Sequence, residues 1–207
     1  MAKEFHRPVV VNGAWLEYFA SGKNPEETLT LAQQSATLLM NSLRGESAES
    51  HQRLLEYIRS QGIEDLAEIW SHAPHPSLPA ALWRVYLVRE FAIQDPAQTS
   101  AVYRIGMEAI DSSDIALVGA AEPVGPNDVV KLAEQILHGV FTGDFVVALN
   151  RAAAFCRICS VGCTQLADST EFANPKRAST LTTRAYRLSE MAAELSLSAE
   201  LWRDKKL

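Results

Sequence analysis

"AALWRVYLVREFAI", residues 80–93, is apolar almost all the way round: between Leu82 and Ile93 only Arg84, Arg89 and Glu90 are polar. At about 100° per residue these three point in three separate directions, so no face is reserved for solvent. A helix of that kind is wrapped by others. The stretch predicts a buried central helix and, with it, a protein made of several helices.

The flanking sequence agrees. "NPEETLTLAQQSATLLMNSLRG", from Asn24 to Gly45, offers Asn24 as N-cap, Pro25 at the first helical position and Glu26 and Glu27 in the first turn. Leu29, Ala32, Ala36, Leu39, Met40 and Leu43 form its apolar stripe. A second helix carries Leu54, Leu55 and Ile58 and stops at Gly62; a shorter one carries Ile63, Leu66, Ala67 and Trp70. The prolines of "SHAPHPSLP", residues 71–79, then break the chain. Beyond the central helix, Asp95-Pro96 opens a helix to about Ile110. Residues 111–126 read as a long loop, and Asn127 caps a helix whose stripe is Val129, Leu132, Ala133, Ile136, Leu137 and Val140.

A cysteine-bearing helix is expected near 144–167, a polar linker over 168–180, and a last helix with Leu181, Ala185, Leu188, Met191 and Leu195 on one face. Alternation of the strand type is scarce. The expected fold is all-α: a single-domain bundle of about seven to nine helices around the buried helix near 80–93. Residues 1–167 would form the core, and 168–207 a linker plus a helix packed on that core or on a second copy.

Three cysteines stand within "AFCRICSVGC", residues 154–163. On a helix, Cys156, Cys159 and Cys163 span an arc of about 60°, opposite Asn150, Arg157 and Thr164, and continue the stripe of Phe145, Ala148, Leu149 and Ala152. Cys156 and Cys163 would be about 10.5 Å apart along the axis. Two thiolates on one zinc are at most about 4.6 Å apart. The cysteines therefore read as core, and no metal or cofactor is expected. Clustered and odd in number, they make no disulfide framework, which points to a reducing compartment, the cytoplasm.

Composition narrows function. Of 207 residues, 47% are hydrophobic and 21% charged, as in an ordinary globular chain, and the net charge of −6 disfavours nucleic acid and acidic membranes as general partners. The charge is uneven: residues 1–150 carry ten Lys/Arg against nineteen Asp/Glu, residues 151–207 nine against six. No run approaches the ~18 uninterrupted apolar residues of a membrane span. Phosphate-binding glycine loops, hydrolase elbows and metalloprotease signatures are absent.

His72 and His75 read as solvated loop histidines. Arg89 and Glu90, charged on an apolar helix, should pair with each other or, with Trp83 and Tyr86, line a polar pocket. Leu188, Met191 and Trp202 are the interface candidates of the last helix. The segment "LAEQILHGVFTGDFVVALNRA", residues 132–152, loosely resembles the helix-turn-helix of small bacterial repressors, yet its would-be recognition helix, Phe145 to Ala154, has Arg151 as its one basic residue. The expectation is a non-enzymatic module that binds another protein or itself as a homodimer. A helical enzyme or small-ligand binder with the Trp83/Tyr86/Arg89/Glu90 pocket comes second, and a DNA-binding regulator third.

Overall fold

In the computed structural model, which describes residues 25–42, 49–110 and 124–207, every regular element among the described residues is a helix. In chain order these are α1 (Pro25–Ser42), α2 (Glu49–Gln61), α3 (Glu64–Ser71), α4 (Leu78–Gln94), α5 (Pro96–Ala109), α6 (Pro126–Leu137), α7 (Phe145–Thr170) and α8 (Pro175–Arg203). The protein is an all-α multi-helix bundle. Proline begins four of these eight helices and stands second in α4, where its missing N–H removes a donor that has no partner anyway. Side-chain caps hold four helix starts: Ser77 accepts from the Ala80 amide, Asp95 from Gln98, Asp144 from Val146 and Asn174 from Arg177.

The "AALWRVYLVREFAI" stretch lies in α4, which packs against α1, α3, α5, α6, α7 and α8. Leu82, Val85, Val88 and Ala92 are buried there, and no single face is left bare because each neighbour covers part of the circumference. The most extensive contact in the bundle is different: α7 and α8 run against each other along their lengths, and α5 covers another side of α7. Leu181, Leu188 and Leu195 of α8 are all buried. Each contributes roughly 1.5–3 kcal/mol by leaving water, far more than surface pairs on that helix can add. Phe155 of α7 is fully enclosed, its ring 6.2 Å from Phe91 and 5.7 Å from Tyr103.

Several sequence expectations are corrected. The polar stretch 168–180 is not a linker: α7 continues to Thr170, a turn occupies 171–174, and α8 starts at Pro175. Polar residues continue these helices because their outer faces meet water. Leu29 is 42% exposed while Thr28 is buried, so the stripe of α1 is turned by one residue at its first turn. The cap of α6 is Gly125, with Pro126 in the first turn, rather than Asn127. Gly106 and Gly162 lie inside helices, where α5 and α7 approach backbone to backbone. The expectations for Asn24, Gly45 and the loop 111–123 fall outside the described residues.

By length and composition α7 could cross a membrane, with a mean hydropathy of 1.4, yet 61% of that stretch is buried inside the bundle.

Candidate functional site

One groove, about 490 Å³, lies between α1 and the end of α8. Its first wall follows from helical periodicity. While α1 turns Ala32, Ala36 and Leu39 into the core, Gln33, Thr37 and Asn41 recur every fourth position along the groove edge. Thr37 donates its hydroxyl to the Gln33 carbonyl at 2.7 Å; the Gln33 and Asn41 carboxamides have no hydrogen-bond partner among the described residues. Met40 and Leu78 form an apolar floor.

The second wall is built by the way α8 ends. The Lys206 amide donates to the Leu201 carbonyl and the Lys205 amide to the Trp202 carbonyl, the paired bonds of a Schellman close. Such a close needs a left-handed residue, and that residue is Lys205, with φ 58°. The same bond pattern closes α6, where the left-handed position is filled by Gly139. A side chain in this conformation costs about 1–2 kcal/mol that glycine avoids. The reversal folds Leu207 back against the core and sets Lys205 on the groove rim. Half-buried Trp202 stands beside them, its ring edge-on to Phe145 at 5.2 Å.

The residues singled out on α4 do come together. Trp83 and Tyr86 stack at 5.4 Å, and Arg89 donates to Glu90 at 2.7 Å. Glu134 of α6 pairs with the same guanidinium at 3.5 Å, which ties α4 to α6. Arg89 Nε is buried without a hydrogen-bond partner. Burial raises the Tyr86 phenol above its usual range, and Glu90 and Glu64 push it further the same way. Trp83 and Tyr86 are half-buried, so the stack reaches the surface of the bundle.

The other three candidates belong to α8 and are separated by its packing. Leu188 is buried against its own chain and Met191 half-buried, whereas Trp202 lines the groove. Of the two expected places for this stripe, the core or a second copy, Leu181, Ala185, Leu188 and Leu195 are buried within the chain.

His75 is not a solvated histidine. Its Nδ1 is buried without a partner, and the residue lies close to the Arg84–Glu194 ion pair that joins α4 to α8. Burial holds the imidazole below its ordinary value of 6.5; Glu194 opposes that shift and Arg84 adds to it. The Arg84 hydrogen bond in turn holds Glu194 below the usual carboxylate range. His72, by contrast, is exposed and caps its own helix through the Glu68 carbonyl at 2.9 Å.

All three thiols are free and fully buried. Burial pushes Cys156 up to about 12 and Cys163 to about 11, and raises Cys159 as well. Neutral thiols in an apolar setting are poor nucleophiles. Among the described residues no group of three or more His, Cys, Asp or Glu could hold a metal ion.

The groove was missed in the sequence, apart from Trp202, because its walls come from opposite ends of the chain. The four-residue spacing of Gln33, Thr37 and Asn41 was visible, but polar positions on a helix face announce only solvent. No protein-family model, curated protein or solved structure matches the chain.

Proposed function

We propose that this chain is a cytoplasmic protein-binding module, and that its groove between α1 and the end of α8 receives a segment of another protein. The observation that carries this reading is the groove's composition: Met40, Leu78 and Trp202 offer apolar surface inside a rim of uncommitted amides and one cation. An apolar centre with a polar rim is the anatomy of a protein interface, and half-buried tryptophans are frequent anchors. A reducing compartment suits three free thiols.

The test is a photo-crosslinking residue placed at Thr37 in the full chain, illuminated in cells. A discrete heterologous adduct that Trp202→Ala abolishes is the expected result. No adduct at Thr37, with an adduct at a control position on α2, would reject the groove. A partner that is a second copy would appear as a self-adduct, with a mass by light scattering above the 22.8 kDa of one chain.

A second reading, a small-ligand site on α4, is favoured by the unpartnered Nε of Arg89 beside the Trp83–Tyr86 stack. A buried donor without an acceptor invites an anionic group. A metabolite that raises the melting temperature of the native chain but not of Arg89→Ala would support it.

A further inference from the structure

We propose that the groove takes an extended, acidic segment of its partner, with one apolar side chain seated against Trp202; this rests on the groove being the binding site. Along α1, Gln33, Thr37 and Asn41 repeat every four residues, about 6.0 Å apart by the rise of a helix. An extended chain repeats every two residues, about 6.6–6.8 Å. The Gln33 and Asn41 carboxamides are about 12 Å apart along the helix, and between them the Thr37 hydroxyl oxygen can accept while its proton stays on the Gln33 carbonyl. These groups can exchange hydrogen bonds with backbone groups spaced along an extended ligand. A helical ligand offers no such groups, because its own turns satisfy them. It would also need anchors at every third or fourth residue in a long apolar trough, and the floor here is short.

The charge follows from the end of α8. Lys205 has no ion-pair partner among the described residues, and the adjacent Asp204 is engaged by Lys206 at 3.0 Å. Lys205 is the one charged side chain among the described residues that line the groove. Lys205 also holds a left-handed backbone position that Gly139 fills at the matching point of α6. A lysine in a left-handed conformation that glycine adopts without cost is a backbone outlier of the kind that points to a use for the side chain. At this rim the use is recognition of a carboxylate.

The experiment is a selection of random eight-residue displayed peptides on the full-length protein, followed by affinity measurement of the enriched peptides. Enriched sequences are expected to pair one apolar residue with Asp or Glu within three positions. Lys205→Gly should weaken them roughly threefold to tenfold without lowering the melting temperature, since glycine suits that backbone. Lys205→Glu should shift selection toward basic peptides. Enriched peptides that are basic, or that carry anchors at helical spacing, would overturn this inference while leaving the groove intact if Trp202→Ala still abolishes them. Peptides indifferent to both Trp202→Ala and Lys205→Gly would remove the groove itself. Failure to enrich any sequence would also overturn the proposal, as would a dimer that Lys205→Glu dissociates, which would give the groove to a second copy.

Discussion

A Cβ built on Gly162 of α7 would stand 3.0 Å from the amide nitrogen of Gly106 on α5 and would overlap the Val102 carbonyl oxygen. The relation is reciprocal, because a Cβ on Gly106 would overlap the Ile158 carbonyl oxygen. Val102 and Gly106 are one turn apart on α5, as are Ile158 and Gly162 on α7, so the helices meet through their backbones. This close approach brings α5 onto the side of α7 where Phe155 meets Tyr103.

Gly162→Ala or Gly106→Ala should therefore destabilise the fold. Alanine gains about 0.8–1.0 kcal/mol of helix propensity, but forcing the helices apart costs about 1–3 kcal/mol or more. The added methyl meets backbone, which cannot rotate away, so a net loss is expected. A lower denaturation midpoint checks it; a stabilised variant would show that the helices separate freely.

The thiols should be inert. Buried, with raised pKa values, they should react with an alkylating reagent at pH 8 only as fast as the protein opens, and at once in denaturant. Rapid labelling of the native protein would contradict their burial. Cys159→Ser should cost about 1–3 kcal/mol, because a hydroxyl would replace a thiol in an apolar site.

His75 should make the protein acid-sensitive. Its folded pKa lies below 6.5, so below neutrality the unfolded chain binds more protons and stability falls as pH falls. The loss begins as pH drops through the unfolded value and ends once the folded form is protonated. The slope from this one group is at most about 1.4 kcal/mol per pH unit. Between pH 7 and 5, His75→Asn should flatten the dependence in urea titrations. Glu194 also loses stability with acid, but below the usual carboxylate value of 4.5, and so separates from His75 on the pH axis.

Trp83→Ala should cost about 2–3 kcal/mol, less than the roughly 3–5 kcal/mol of a fully enclosed aromatic. Trp83 is half-buried and keeps one contact as a stack on Tyr86. Thermal or urea unfolding reads the difference, and a loss as large as that from Trp70→Ala would mean Trp83 is buried more deeply.

Removal of α8 should not yield a folded monomer. Residues 175–203 bury Leu181, Ala185, Leu188, Ala192 and Leu195 on their own chain. Without them an apolar side of α7 is laid bare. A chain ending at Asn174 should be insoluble or molten, with weak near-ultraviolet dichroism. A well-folded truncated protein would mean that α8 is peripheral.

The fold class was legible in the sequence because helical periodicity is a local property. Leu54 and Ile58, or Val129, Leu132 and Ile136, declare a buried face without reference to any partner. The cysteines could be assigned to the core for the same reason: their angular position on one helix set them beside Leu149 and Ala152. Even the Arg89–Glu90 pairing followed from local chemistry, since a charge on an apolar helix needs compensation.

What the tertiary structure decided were relations between distant residues. Gly106 and Gly162 look like weak points in their own helices, and only the crossing of α5 and α7 explains them. The polar residues of 168–180 suggested a linker because sequence polarity reports solvent, and the outer side of a packed helix is equally polar. The proline-rich loop sequence puts His75 in water, while the charges that act on it, Arg84 and Glu194, belong to α4 and α8. The groove needed Gln33 and Lys205 around one cavity. They are distant in sequence, and only the packing of the bundle brings them to one place.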